Sequence, residues 1–82
     1  MQLIKFYATW CQPCKNLSRT MEDMEFPFPV VEIDIEDQME IAMVYNVRSV
    51  PTLILINSEG EVIERLQDSK ATKQEMLDLF VK

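Results

Sequence analysis

The chain contains two cysteines, Cys11 and Cys14, separated by two residues. They follow a short apolar run and precede an amphipathic helical pattern, so we expect them at the start of a helix. There the CxxC spacing puts both sulfur atoms on one side of the helix, close enough to bond to each other. The sequence therefore predicts a pair that can exist as a disulfide or as a dithiol.

Cys11 is the predicted nucleophile of this pair. Free N–H groups and the helix dipole favour a thiolate at a helix N-terminus, so we expect the pKa of the Cys11 thiol to lie below that of a free cysteine. Cys14, one turn deeper, is expected to be shielded and to attack a mixed disulfide in a second step.

Two other roles for the cysteine pair have less support. A structural disulfide closing so short a loop contributes only on the order of 2 kcal/mol by the chain-entropy estimate. A zinc site needs four N or S ligands, and the chain has no histidine and no further cysteine. No metal site is therefore predicted within one chain, and a metal ion or iron–sulfur cluster shared with another chain is the alternative.

Length and charge narrow the class of protein. The 82 residues suit one domain over residues 1–82. The net charge of −6, without a Lys/Arg cluster, argues against nucleic acid or a membrane surface as partner. The N-terminal apolar run is too short to span a bilayer and lacks signal-peptide features, so a cytoplasmic location is expected. In that compartment a cysteine pair is more often catalytic or metal-binding than structural.

Apolar patterns predict four strands and three helices that position the cysteines. The strands are predicted at residues 2–8, 30–35, 52–56 and 61–66, and the helices at 12–25, at 38–45 and from the capping box Thr72–Glu75 onward. Pro13 fits the first helix because its missing N–H falls in the first turn. A turn at 57–60, with Gly60 left-handed, makes the last two strands a hairpin. We expect the first two strands to be parallel, residues 52–56 to be central and 61–66 to lie at an edge.

Each helix is expected to bury one apolar stripe against this sheet. The residues predicted to face the core are Leu17, Met21 and Met24 in the first helix, Met39, Ala42 and Met43 in the second, and Met76, Leu77, Phe80 and Val81 in the third.

Two segments resemble the thioredoxin family. Residues 6–15 (FYATWCQPCK) look like its active-site segment, and residues 45–52 (YNVRSVPT) look like its cis-proline segment. Gly60-Glu61-Val62 is similar to the family's hairpin, and the likeness covers essentially the whole chain. The resemblance implies a thioredoxin-like α/β fold, with a four-stranded mixed sheet in the order β-α-β-α-β-β-α flanked by three helices.

The resemblance also implies a substrate-binding surface around the cysteines. Trp10 would contact incoming protein, and Gln12 and Pro13 would span the cysteine pair. The Val50–Pro51 bond is expected to be cis and to lie opposite the cysteines. That geometry would leave the Val50 backbone free to pair with an extended substrate segment.

The chain departs from the usual family pattern in four places. It lacks the extra N-terminal strand and helix, and so resembles a short thioredoxin. Gln12 stands where a glycine is common between the cysteines. Gln67-Asp68-Ser69 occupies the loop before the last helix, where a glycine is expected. Lys5 stands where the family usually buries an aspartate.

Lys5 and Glu32 form a second predicted site. A charge inside an apolar strand is costly without a partner, and parallel neighbouring strands would put Lys5 and Glu32 on one face. The hypothesis is an ion pair beneath Cys14, with Glu32 taking or relaying its proton. The alternative is a solvent-exposed pair of little consequence.

The predicted function is thiol–disulfide oxidoreductase activity, the reduction of protein disulfides as part of cell redox homeostasis. The resemblance implies a monomer with no bound cofactor, recharged by electron transport from NADPH through a flavoprotein reductase similar to thioredoxin reductase. A glutaredoxin-like enzyme recharged by glutathione is one alternative, although residues 67–69 match its glutathione loop poorly. A binding module that only uses the fold is the other.

Overall fold

Four strands and three helices make up the computed structural model, which describes residues 1–82. The strands are β1 (Gln2–Tyr7), β2 (Val30–Asp34), β3 (Thr52–Ile56) and β4 (Val62–Gln67). The helices are α1 (Gln12–Glu22), α2 (Met39–Val44) and α3 (Lys73–Leu79), and a short 3₁₀ turn at Asp68–Lys70 joins β4 to α3. The chain order is β1-α1-β2-α2-β3-β4-α3.

The four strands form one mixed sheet in the order β2-β1-β3-β4. β1 pairs in parallel with β2 and antiparallel with β3, and β3 pairs antiparallel with β4. The predicted α/β fold with a four-stranded mixed sheet is therefore confirmed, with β1 and β2 parallel, β3 central and β4 at an edge. The strand boundaries differ from the predicted ones by one residue at Tyr7, Asp34, Val62 and Gln67, and β3 has the predicted bounds.

The sheet is covered by helices on both faces because both sets of alternating residues in its buried strands are mostly apolar. On one face, Leu3, Leu53, Leu55 and Leu66 pack with Leu17 of α1 and with Met76 and Leu79 of α3. On the other, Ile4, Phe6, Ile33, Ile54 and Ile56 pack with Ala42 of α2. Lys5 alternates with Ile4 and Phe6, so it points to the face that carries α1.

The first helix ends three residues earlier than predicted, at Glu22 rather than at residue 25. Pro27 and Pro29 then prevent helical backbone from resuming in the segment that follows. The released segment brings Phe26 and Phe28 against Phe80, with ring centroids 5.2 Å and 6.1 Å from that of Phe80. Met21 and Met24 pack against the core beside Leu17, as predicted.

The predicted core stripes of the other two helices were partly wrong. Met39 and Met43 are 60% and 72% exposed, because α2 buries Ala42 and packs Ile41 and Tyr45 beside it. In α3 the core residues are Met76 and Leu79, with Phe80 half-buried. Leu77 and Val81 are exposed, because Leu77 lies to the side of that stripe and Val81 lies beyond the helix end.

The turns at two helix ends follow the chemistry of their residues. The Thr72 hydroxyl accepts a hydrogen bond from the Glu75 backbone N–H at 3.2 Å, which fixes the start of α3 as predicted. Asn46 takes a left-handed conformation after α2, with φ of 54°. The Asn46 and Val47 N–H groups donate to the Met43 and Ala42 carbonyls, a Schellman ending that turns the chain toward Pro51.

Candidate functional site

Cys11 and Cys14 are joined by a disulfide at the N-terminus of α1. Cys11 is the N-cap residue, and its Sγ atom accepts a hydrogen bond from the Cys14 backbone N–H at 3.1 Å. The two Cα atoms lie 5.3 Å apart, a separation that helical backbone after the cap produces at this spacing. Both residues are buried, 3% and 2% exposed. The predicted sulfur pair at a helix start is therefore present.

The residues next to the disulfide in sequence lie at the surface. Trp10 is 65% exposed, and Gln12 and Pro13 are also exposed. Pro13 occupies the second position of α1, where a missing N–H costs no helical hydrogen bond. The Gln12 side chain donates to Asn16 one turn along at 3.1 Å, away from the sulfur atoms.

The Val50–Pro51 bond is cis, as the resemblance implies. Val50 packs against the cluster formed by the two cysteines and Ala8, so this segment lies beside the disulfide. The Val50 backbone N–H and C=O form no hydrogen bond within the chain. A backbone pair without an internal partner must bond to solvent or to a bound chain. Next to Pro51, the Thr52 hydroxyl donates to the Ser49 carbonyl at 2.8 Å and fixes the turn.

Arg65 of β4 holds the other end of this segment. Its guanidinium donates to the Tyr45 carbonyl at 2.7 Å and to the Asn46 carbonyl at 3.2 Å. These carbonyls belong to the end of α2, where the helix leaves acceptors without partners and its dipole favours a cation. Arg65 therefore anchors the chain from which residues 47–51 run to the disulfide.

Lys5 and Glu32 form the predicted pair. They are register partners across β1 and β2, and the Lys5 Nζ atom lies 3.1 Å from Glu32 Oε2. Lys5 also donates to the Ser18 hydroxyl of α1. The Lys5 side chain is 3% exposed and that of Glu32 is 59% exposed, so the pair runs from the interior to solvent. Lys5, Cys14, Ser18 and Glu32 line one cleft of about 330 Å³, which brings the pair next to the second cysteine.

Similarity to known proteins agrees with this geometry. The thioredoxin family model matches residues 1–82. The chain belongs to the thioredoxin family. It is 31% identical to thioredoxin-2 of Pyricularia oryzae over 92% of this chain and 45% of that protein. It is 36% identical to Bacillus subtilis thioredoxin over 76% of this chain and 62% of that protein.

A mutant thioredoxin from Halobacterium salinarum has the same fold in its solved structure. Its TM-score is 0.84 at 33% identity, over 96% of this chain and 70% of that one. The chain spans less than two thirds of the length of the Pyricularia and Bacillus thioredoxins.

Neither a cluster of metal ligands nor a membrane-spanning helix is found in this family member. No three or more histidine, cysteine, aspartate or glutamate side chains converge as metal ligands. None of the helices combines the length and apolar character needed to cross a membrane.

Ser18, Ser49 and Asp68 also contact the site, although no sequence pattern predicts a role for them. The Lys5 ammonium donates to both Ser18 and Glu32, and the Ser49 hydroxyl donates to Asp68 Oδ2 at 3.0 Å. The helical period places Ser18 one turn after Cys14, which was the available signal for it. Residues 49 and 68 lie in loops, so no period related them.

Proposed function

We propose that this thioredoxin-family chain is a thiol–disulfide oxidoreductase that reduces protein disulfides through Cys11 and Cys14. The observation that carries the proposal is their disulfide at the N-terminus of α1, beside the unpaired backbone of Val50. An exchangeable sulfur pair and a place for an extended peptide strand are the two parts that disulfide exchange with a protein needs.

The reaction begins with the reduced protein. The Cys11 thiolate attacks one sulfur atom of a substrate disulfide, a bond forms between them, and the other substrate sulfur leaves as a thiolate that takes up a proton. The Cys14 thiolate then attacks Cys11 Sγ, which breaks the mixed disulfide and releases the second substrate sulfur. Two electrons pass to the substrate, and the Cys11–Cys14 disulfide of the structure is the oxidised product.

The assignment of Cys11 as the first nucleophile rests on its place at the helix end. Its sulfur receives the Cys14 N–H bond, and the positive end of the helix dipole stabilises negative charge at the same atom. Cys14 lies inside the first turn, where it faces Lys5 and Ser18 across the shared cleft. It is therefore suited to the second, intramolecular step.

The exposed residues around the disulfide are assigned to substrate binding. Trp10 offers a large exposed ring next to Cys11, and Gln12 and Pro13 form the rim of the cysteine turn. Val50 supplies a free backbone N–H and C=O for a substrate strand, and Pro51 follows it at the start of β3. The proposed substrate contacts are therefore mostly van der Waals contacts with these exposed side chains and hydrogen bonds to the Val50 backbone.

Glu32 and Lys5 are assigned to proton transfer at Cys14. Cys14 must lose its proton before it attacks, and Glu32 gives the shared cleft a solvent-exposed carboxylate. Lys5 holds that carboxylate in the cleft through the 3.1 Å ion pair. The test is turnover against pH in Glu32→Gln, with the exposed Glu40→Gln as a control. A pH profile unchanged from the wild type would reject the proton role.

The electron donor and the substrates are proposed from family membership. Electrons would come from NADPH through a flavoprotein thioredoxin reductase, with protein disulfides as substrates and no cofactor bound to this chain. The chain would act as a monomeric domain over residues 1–82 in the cytoplasm.

Reduction of insulin disulfides tests the proposed function. The wild-type protein should reduce insulin with NADPH and a thioredoxin reductase, and Cys11→Ser should abolish the activity. Cys14→Ser should accumulate a mixed disulfide with insulin, detectable by mass, because the second step is lost. Activity with glutathione alone as donor, or full activity of Cys11→Ser, would contradict the proposal.

A further inference from the structure

Asp68 has an unusual backbone conformation for its residue type. It follows β4 in the loop where the family pattern leads us to expect a glycine, and its φ is 52°. This left-handed conformation is uncommon for residues with a side chain, although aspartate and asparagine adopt it more readily than most. The loop thus keeps the shape that a glycine would allow and adds a carboxylate to it.

Asp68 is bonded to the cis-proline segment at two points. Its backbone N–H donates to the Pro51 carbonyl at 3.0 Å, and its Oδ2 atom accepts from the Ser49 hydroxyl at 3.0 Å. No Lys or Arg lies within ion-pair distance of the carboxylate, since the chain's two ion pairs involve other residues. A negative charge without a cationic partner is therefore held beside Pro51.

Asp68 lines a cleft beside the helix that begins at the cysteine pair. The cleft has a volume of about 310 Å³ and lies between Pro13 and Asn16 of α1 on one side and Pro51 and Asp68 on the other. Lys73 also lines it, but its ammonium forms no hydrogen bond or ion pair and ends a flexible chain in solvent. Asp68 is thus the one charge in the cleft whose position is fixed by bonds.

We propose that Asp68 is a specificity-determining residue that favours disulfides flanked by lysine or arginine and disfavours those flanked by glutamate or aspartate. A substrate strand that pairs with Val50 runs past Pro51, and the Asp68 backbone N–H is hydrogen-bonded to the Pro51 carbonyl. A cation on that strand gains a carboxylate partner, and an anion meets a like charge. The inference rests on the proposed function and adds a preference among its substrates.

The test uses disulfide peptides that differ at one position within three residues of the cysteine, where they carry Lys, Gln or Glu. The Lys peptide should exceed the Glu peptide in kcat/KM by about five-fold at low salt, an effect of the size that exposed charge pairs produce. The ratio should fall toward about two-fold at 0.15 M salt, where the Debye length is about 8 Å.

Asp68→Asn removes the charge while keeping the conformation and the Ser49 bond, because asparagine tolerates positive φ and retains an acceptor. It should reduce the Lys/Glu ratio at least two-fold. The control is Glu59→Gln, which makes the same change in net charge in the turn between β3 and β4, at the other end of β3. It should leave the ratio unchanged, because five strand residues separate the two ends by about 16 Å.

The outcomes separate this inference from the proposed function. Equal effects of Asp68→Asn and Glu59→Gln on the Lys/Glu ratio, or no effect of Asp68→Asn, would overturn the Asp68 proposal. Reduction of the Gln peptide would still support the proposed oxidoreductase activity. Failure of the wild-type protein to reduce the Gln peptide would overturn both.

Discussion

Lys5 and Glu32 occupy opposed positions of the parallel β1–β2 pair, and the Lys5 ammonium lies 3.1 Å from a Glu32 carboxylate oxygen. The two ends of the pair differ in environment, since Lys5 is buried and Glu32 reaches solvent. Removing the acidic charge therefore leaves a buried cation with only neutral acceptors such as the Ser18 hydroxyl, whereas removing the lysine leaves a carboxylate that water can solvate.

The two partners should accordingly differ in their effect on stability. We expect Glu32→Gln to lower the free energy of unfolding by about 1–2 kcal/mol, less than for a fully buried pair because solvent reaches Glu32. Lys5→Met should change it by less than about 1 kcal/mol, because a side chain of similar length fills the same space. Urea denaturation measures both. A larger loss in Lys5→Met than in Glu32→Gln would contradict this account.

The two cysteines should react at different rates in the reduced protein. The helix end and the Cys14 N–H stabilise negative charge on Cys11. The pKa of the Cys11 thiol should therefore lie below the value of about 8.5 that is typical of free cysteine. Thiolate absorbance against pH in Cys14→Ser measures this directly. Iodoacetamide should label Cys11 first in the wild-type protein, as peptide mapping would show. Preferential labelling of Cys14 would reverse the assigned roles.

The aromatic cluster of Phe26, Phe28 and Phe80 should contribute much of the packing energy that holds α3 on the rest of the domain. Phe80→Ala should lower the free energy of unfolding by about 2–3 kcal/mol, below the usual cost for a fully buried phenylalanine because Phe80 is half-buried. The neighbouring Val81 is 87% exposed, and Val81→Ala should change stability by less than about 0.5 kcal/mol. Similar losses in both variants, in chemical denaturation, would refute the cluster's role.

Arg65 should resist replacement by lysine. Its two bonds to the Tyr45 and Asn46 carbonyls require the forked guanidinium, so Arg65→Lys should cost about 1–2 kcal/mol of unfolding free energy. Arg48 provides the control, since its side chain donates only to exposed Asn46, and Arg48→Lys should be nearly neutral. Faster hydrogen exchange at the Asn46 and Val47 amides of Arg65→Lys would locate the loss. Unchanged exchange there would contradict the anchoring role.

The strands and the cysteine site could be predicted because their signals are local. The composition of an unbroken apolar run such as residues 52–56 is enough to predict a strand. Cys11 directly precedes an amphipathic helical pattern, which is enough to place it at a helix start. The Lys5–Glu32 pair could also be predicted, because one parallel pairing relates the two positions.

The stripe of α2 could not be assigned because six residues do not fix a helical phase. Met39 and Ala42 are both apolar and lie one turn apart, and only contact with the sheet selects Ala42. The Ser49–Asp68 bond was beyond prediction for another reason. It joins loops 19 residues apart in sequence, and no periodicity describes such a contact.

The free amide and carbonyl of Val50 have a consequence for the range of substrates that the proposed function would include. Every polypeptide carries the same main-chain groups, so docking through them is indifferent to which side chains a client has. Under the proposed function, a domain of this size could therefore reduce many substrate proteins through one segment, and selectivity among them would come from the few side chains that border Val50.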